Sequence, residues 1–326
     1  MEIIARYRQM FESHLQANQP NRKPESLYEP VKYILDLGGK RLRPVFVLMG
    51  CGAWSDKPQK ALNAAMAVEL FHNFTLLHDD IMDEAGLRRG KPTVNKKYGI
   101  NAGILSGDVM MIMAYQQILD IGDPNLIKPL LDIFNKMAFE VCEGQQMDMD
   151  FEKLSNVSIT EYLEMITLKT SVLIGAAIRM GALIGGADTT DQDHIYEFGK
   201  NYGLAFQLQD DVLDTFGDPG QVGKKIGGDI LRNKKTYLYL KSLELAGEKQ
   251  RNNLVDLYSG KMILPDDEKI DTVTTIFRSV NVLEYSRQLI EAYRDLAVSH
   301  LYATKMPEKG KEVFKDLTDQ LIFRNN

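Results

Sequence analysis

The chain has 326 residues, 44% of them hydrophobic, and a formal net charge of −6. That length can build one large core, and the acidic balance argues against nucleic acid or an anionic membrane as partner. Its two cysteines, Cys51 and Cys142, lack Cys-x-x-Cys spacing, which argues against a disulfide framework and suits a reducing, cytoplasmic setting.

The chain opens with MEIIARYRQM, which has no apolar signal-peptide run. GGKRLRP follows and supplies Lys40, Arg41 and Arg43. Apolar residues near a 3.6 period then predict a helix over Pro58–Ala85, started by Lys57-Pro58 and stopped at Gly86. It is apolar nearly all round, so it is expected to be buried and central. The most membrane-like stretch, Ser171 to Ala187, is short, rich in Gly and Ala, and carries Arg179. A span needs roughly 20 apolar residues, so tight helix packing in a soluble core is the expectation. A second long helix is predicted over Asp191–Phe216, stopped by GDPG. No series of alternating strands and no linker interrupts the chain. The expectation is an all-α fold, with residues 1–326 forming a single domain.

Each of the two long helices ends in the same acidic pattern: Asp79, Asp80 and Asp83 in HDDIMD, and Asp210, Asp211 and Asp214 in QDDVLD. At about 100° per residue, positions 0, 1 and 4 share one sector of a helix. Acids are disfavoured at a helix C-terminus and beside an apolar core. Mg²⁺, which takes oxygen ligands together with substrate phosphate, resolves both costs. A solvated helix end would explain one such cluster; two copies after apolar helices favour the metal.

Basic groups accompany both clusters. GLRRGKP brings Arg88 and Arg89, and Lys169-Thr170 lies in an apolar helical region. GDPGQVGKKIGGDILRNKK brings Lys224, Lys225, Lys234 and Lys235 among glycines. Lys and Arg make charge-assisted bonds to phosphate oxygens. Singly each reads as solvated surface; their order after the acids favours diphosphate binding. His72 shares a helix face with Asp79, a place where a core histidine is also ordinary. Glu69 and His72 match Glu-x-x-His, but a di-iron site needs a second copy, and none is present.

These residues resemble the trans-polyprenyl synthetase family along nearly the whole chain: GGKRLRP, HDDIMDEAGLRRG, GQQMD, Lys169-Thr170, FQLQDDVLD and the later Lys-rich loop. The resemblance implies an isoprenoid-synthase-type helical bundle around a deep central cavity, usually a homodimer. It implies condensation of isopentenyl diphosphate with an allylic diphosphate (dimethylallyl, geranyl or farnesyl), using three Mg²⁺ ions. By position, Asp79 and Asp83 would bind two ions, with Asp80 in support. Asp210 would bind the third, with Asp211 and Asp214 acting partly through water. Arg88, Lys169, Lys225 and Lys234 would hold the allylic diphosphate; Lys40, Arg43, His72 and Arg89 would hold isopentenyl diphosphate. Gln207 and Thr170 would face the developing cation, and Gln145 and Asp148 would support the metal site. Two departures stand out. Lys224-Lys225 doubles a position that often holds one lysine, and the C-terminal FRNN offers only Arg324 as a basic group.

The same resemblance makes Phe74, with Thr75 beside it, the floor of the product cavity, with Phe71 one turn deeper as a second floor that would shorten the product; ordinary core packing of both rings is the alternative. This pattern favours geranylgeranyl diphosphate over farnesyl diphosphate. A class I terpene cyclase and a non-catalytic prenyl synthase subunit are the alternatives. The repeated DDxxD and GGKRLRP argue against the first, and the retained acidic and basic residues against the second.

Overall fold

The computed structural model describes residues 2–217 and 226–323. They are almost entirely helical, with one two-stranded hairpin, Leu87–Arg88 and Lys91–Pro92. The backbone divides into two compact units. The first comprises Met1–Asn135, Ala176–Asp193 and Lys305–Lys311; the second comprises Lys136–Gly175, His194–Thr304 and Glu312–Asn326.

In the first unit, α1 (Glu2–Ala17), α2 (Glu25–Asp36), α3 (Leu42–Trp54), the short α5 (Val94–Tyr98) and α6 (Ile100–Leu119) pack around or beside α4 (Leu62–Met82). A short 3₁₀ turn, Pro58–Ala61, leads into α4. Ala64 through Phe71 are all buried, as expected for a helix apolar on every side. α4 ends earlier than its composition suggests. Ala85 N–H bonds Asp80 O at 2.9 Å and Glu84 N–H bonds Ile81 O at 3.3 Å. This is a Schellman-type stop, and its left-handed position is Glu84, at φ 50°.

The Gly/Ala-rich stretch is core. A Cβ on Gly181 would lie 2.0 Å from Val47 O, and one on Gly50 would lie 2.3 Å from Ile178 O. The two backbones therefore touch, and only glycine permits it. The continuous helical run Ile159–Gly185 is long and apolar enough to cross a membrane by composition, but 67% of its most apolar window is buried within the protein.

The second unit holds the C-terminal part of α7 (Pro124–Lys153), then α8 (Ile159–Ile166), a π-helical turn Thr167–Ser171 and the start of α9 (Val172–Gly185). It also holds most of α10 (Thr189–Phe216) and the later helices. A capping box of Ser158 and Glu161 starts α8. Phe198, Phe277 and Phe314 are fully buried in this core, with the Phe198 and Phe314 rings 5.3 Å apart and edge-on.

Candidate active site

The C-terminus of α4 carries the first acid cluster, and its three carboxylates are not equivalent. Asp79 is half-buried and Asp83 exposed, whereas Asp80 is 3% exposed. Arg88 grips Asp80 with two bonds, Nε to Oδ2 at 2.7 Å and Nη2 to Oδ1 at 2.8 Å. A bidentate pair of this kind fixes both groups. Arg88 reaches it from the hairpin, whose two turn residues Arg89 and Gly90 have φ of 53° and 76°. That is the pattern of a two-residue type I′ turn.

The hairpin tip meets the glycines of GGKRLRP. Arg89 donates to Gly38 O, and its guanidinium lies so close that a Cβ on Gly39 would sit 2.8 Å from its Cζ. Arg43 Nη1 donates to His72 Nε2 at 3.2 Å. Since a guanidinium only donates, Nε2 accepts and the imidazole is neutral with its proton on Nδ1. Burial, then Arg43, Arg89, Arg88 and Arg41, hold His72 well below the usual histidine range. The first unit thus gathers arginines around a neutral histidine beside the acids. Lys40 is exposed at the edge of the same segment. Arg41, named with the phosphate binders by sequence, is instead buried and donates to Glu69 and Leu35 O. Glu69 also takes Asn73 Nδ2 at 3.0 Å, which leaves it committed within the core and ends the di-iron reading.

The second cluster repeats the pattern. Asp210 is exposed, Asp211 is 5% exposed and Asp214 half-buried. Asp211 accepts from Tyr162 Oη on one oxygen and from Gln207 Nε2 at 3.1 Å on the other. Thr170 Oγ1 in turn donates to Gln207 Oε1 at 3.3 Å. Burial pushes the Asp211 carboxyl up to about 8; the Tyr162 bond opposes this, and Asp229 and Asp210 add to it. Asp214 secures the segment after the glycine loop, since its Oδ2 accepts Asp229 N–H at 2.8 Å and its carbonyl accepts Gly227 N–H at 2.6 Å.

Lys169 and Thr170 project from the π turn. A π turn holds one extra residue and is frequent at functional sites. Two glycines admit it: a Cβ on Gly144 would lie 2.3 Å from Lys169 N, and one on Gly203 would lie 2.8 Å from Ser171 Cα. Lys169 Nζ donates to Asp148 Oδ2 at 2.5 Å, and Lys234 Nζ lies 3.9 Å from the same oxygen. Burial would raise the Asp148 carboxyl, but Lys169 and Lys234 outweigh it and hold the group below the usual range. Asp148, Tyr162, Lys169, Thr170, Gln207, Asp211, Asp229 and Lys234 line one pocket, to which Phe151, Met165 and Ile166 add apolar lining.

Of the residues expected from sequence, the second unit therefore brings together Lys169, Thr170, Gln207, Asp211 and Lys234, with Asp148. The first unit brings together Asp80 with Arg88, and Arg43 with His72. Lys225, Lys224 and Arg324 lie outside the described residues, and Gln145 is half-buried. Phe71 is fully buried against Phe134, with ring centres 5.4 Å apart, whereas Phe74 is half-buried against Phe71 and His78. Thr75 Oγ1 bonds back to His72 O at 2.8 Å. Sequence reasoning missed Tyr162, whose partner lies 49 positions away.

The donors fit magnesium. A buried carboxyl crowded by Asp210 and Asp229 is short of a cation, and every candidate ligand is a carboxylate oxygen. No three His, Cys, Asp or Glu groups converge into a cage among the described residues. Mg²⁺ is usually held by one or two carboxylates plus substrate phosphate, so a preformed cage is not required.

Comparison with known proteins agrees with this chemistry. The family model described as polyprenyl synthetase matches residues 24–277. The chain is 35% identical to a short chain isoprenyl diphosphate synthase of Methanothermobacter thermautotrophicus, covering 100% of this chain and 99% of that protein. It is 33% identical to a geranylfarnesyl diphosphate synthase of Natronomonas pharaonis, covering 99% and 97%. A crystal structure of geranylgeranyl pyrophosphate synthase superposes with a TM-score of 0.94 at 47% identity, over 98% of each chain. Two DDxxD clusters, the arginines and lysines of the two units and a match over this length have one explanation: the chain belongs to the polyprenyl synthetase family of trans-prenyltransferases.

Proposed function

We propose that this short-chain prenyltransferase ionises an allylic diphosphate and couples its cation to isopentenyl diphosphate, giving an all-trans product, geranylgeranyl diphosphate before farnesyl. The observation that carries the reading is the pocket of the second unit, where Lys169, Lys234, Thr170, Gln207 and Asp211 line one space. Lys169 and Lys234, with Arg88, bind the allylic diphosphate, and Lys225 is proposed with them. As the C–O bond breaks, negative charge passes to the leaving oxygens, where these N–H groups stabilise it. Thr170 and Gln207 turn oxygen atoms toward the cationic carbon. Phe151, Met165 and Ile166 keep water away from it.

Lys40, Arg43, His72 and Arg89 hold isopentenyl diphosphate, so that its double bond attacks the allylic carbon. The adduct then loses a proton to the departing diphosphate. Magnesium dependence is general in this family. When bound, two ions on Asp79 and Asp83 and a third on Asp210 would neutralise diphosphate charge. Asp80 and Asp211 act from behind by orienting Arg88 and Gln207, and Asp214 by holding the turn that precedes Lys234.

Residues 1–326 are proposed to act as one domain, in the cytoplasm; the family match running through both units supports the first point. A homodimer is proposed through α6, where Leu105, Ile112 and Leu119, seven residues apart, are 60%, 66% and 49% exposed. Such a stripe suits a second helix.

The deciding experiment incubates the purified chain with isopentenyl diphosphate, Mg²⁺ and each of dimethylallyl, geranyl and farnesyl diphosphate, and sizes the products by mass. Absence of condensation with all three overturns the reading. In the same assay a folded Phe74→Ala variant is expected to make longer products. An unchanged distribution removes Phe74 as the floor.

A further inference from the structure

We propose that Tyr162 is a positioning residue for prenyl transfer: through Asp211 it fixes the side-chain amide of Gln207, and so decides which end of that amide faces the reacting carbon. The inference rests on the reading of the pocket given above.

The geometry is a chain of hydrogen bonds. Tyr162 Oη donates to Asp211 Oδ2, Gln207 Nε2 donates to Asp211 Oδ1 at 3.1 Å, and Thr170 Oγ1 donates to Gln207 Oε1 at 3.3 Å. The inner end is sealed, with Tyr162 3% and Asp211 5% exposed. The outer end, Gln207 and Thr170, lines the pocket with Tyr162 and Asp211.

A primary amide keeps its shape when turned over, so only its partners decide its direction. Both Asp211 oxygens accept in this arrangement, Oδ2 from Tyr162 Oη and Oδ1 from Gln207 Nε2. Asp211 therefore selects the NH₂ end of Gln207 and leaves Oε1 toward Thr170. Turned over, Oε1 would meet the Asp211 oxygens, and the NH₂ end, whose hydrogens carry partial positive charge, would face a carbocation. Both interactions would be repulsive. Asp211 can enforce the choice only if its own carboxylate cannot swing, and the Tyr162 hydroxyl holds its far oxygen. The phenol thus acts on the reacting centre through two intervening side chains. This gives a function to the second aspartate of QDDVLD that does not require it to touch a metal.

Two other roles are open to Tyr162, and each leaves a different trace. If the ring only fills the core, loss of the hydroxyl lowers stability without a selective kinetic effect. If the hydroxyl serves the metal site, its loss weakens magnesium. Tyr162→Phe keeps the ring and separates these cases.

In Tyr162→Phe we expect kcat to fall roughly tenfold, the effect of one lost buried hydrogen bond. The KM of both diphosphates and the Mg²⁺ half-saturation should stay within about twofold of the parent. The double variant with Gln207→Leu should be no slower than Gln207→Leu alone, because both act through one amide. In the ligand-free protein the Gln207 side-chain amide resonances, identified by their loss in Gln207→Leu, should shift. An unchanged kcat, a weakened Mg²⁺ response, multiplying effects in the double variant, or unmoved resonances would each overturn the proposal. Should Tyr162→Phe not fold, Thr170→Val must move the same resonances; if it does not, the chain of bonds does not exist. The spectral readout needs no turnover, so failure of the proposed reaction and failure of this inference are told apart.

Discussion

His72 shows how one side chain can report on its surroundings. Its folded pKa lies well below the ordinary value because of burial and the arginines around it. In the interval between the folded and unfolded values, the unfolded chain binds a proton that the folded chain refuses. The stability due to neutral His72 is therefore complete above about pH 6.5 and is lost as pH falls toward its folded pKa. His72→Gln, which can still accept from Arg43, should remove this loss. Unfolding free energies measured in urea between about pH 7 and pH 5 should fall more steeply in the parent, by up to about 1.4 kcal/mol per pH unit. Parallel curves would contradict the assignment of a neutral imidazole in the folded chain. The lysines and arginines divide by substrate. Lys40→Ala and Arg43→Ala should weaken isopentenyl diphosphate, and Lys169→Ala the allylic partner, each by about 1.5–3 kcal/mol. Separate KM titrations of the two substrates would expose a reversed assignment.

At the scale of elements, the ends of helices explain what sequence does and does not reveal. α10 is expected over Asp191–Phe216 and runs Thr189–Phe216, because Gly217-Asp-Pro-Gly cannot continue a helix. α4 is expected to reach Ala85 but stops at Met82. Glu84 occupies the left-handed position usually given to glycine, so no glycine marks the stop. The hairpin escapes notice because Arg89-Gly90 does not carry the Asn-Gly signature of its turn. The π turn leaves no trace in apolar periodicity, and the Tyr162–Asp211 bond joins residues far apart in sequence. The acid clusters are legible as motifs, but not their division of labour. In each, the second aspartate turns inward onto a partner, Arg88 or Tyr162, that only the fold supplies. Glu84→Gly should relieve the left-handed strain and stabilise the protein by about 1 kcal/mol. Urea unfolding would measure it; a destabilised variant would mean that the Glu84 side chain has a role of its own.

For the molecule as a whole, the exposed row Leu105, Ile112 and Leu119 on α6 sets an expectation about assembly. A charge placed in the middle of a helix pairing costs more than the same charge in water. Ile112→Glu should therefore shift sedimentation from dimer to monomer without lowering helix content. A parent that sediments as a monomer at micromolar concentration would remove the proposed pairing. The acidic net charge of −6 is compatible with anionic substrates because Arg43, Arg88 and Arg89 gather in one unit and Lys169 and Lys234 in the other, and charge beyond a Debye length of about 8 Å is screened at physiological salt.

The π turn also has a meaning in terms of chain length. Between Ile159 and Gly185 the run carries one residue more than a regular α-helix needs to join the same ends. Deleting Leu168 should let the run close into unbroken α-helix, keeping the melting temperature while moving Lys169 and Thr170 off the pocket and abolishing turnover. Stability and activity would then part company over a single codon. A homologue one residue shorter at this point would be expected to keep the fold and to have lost or changed the chemistry.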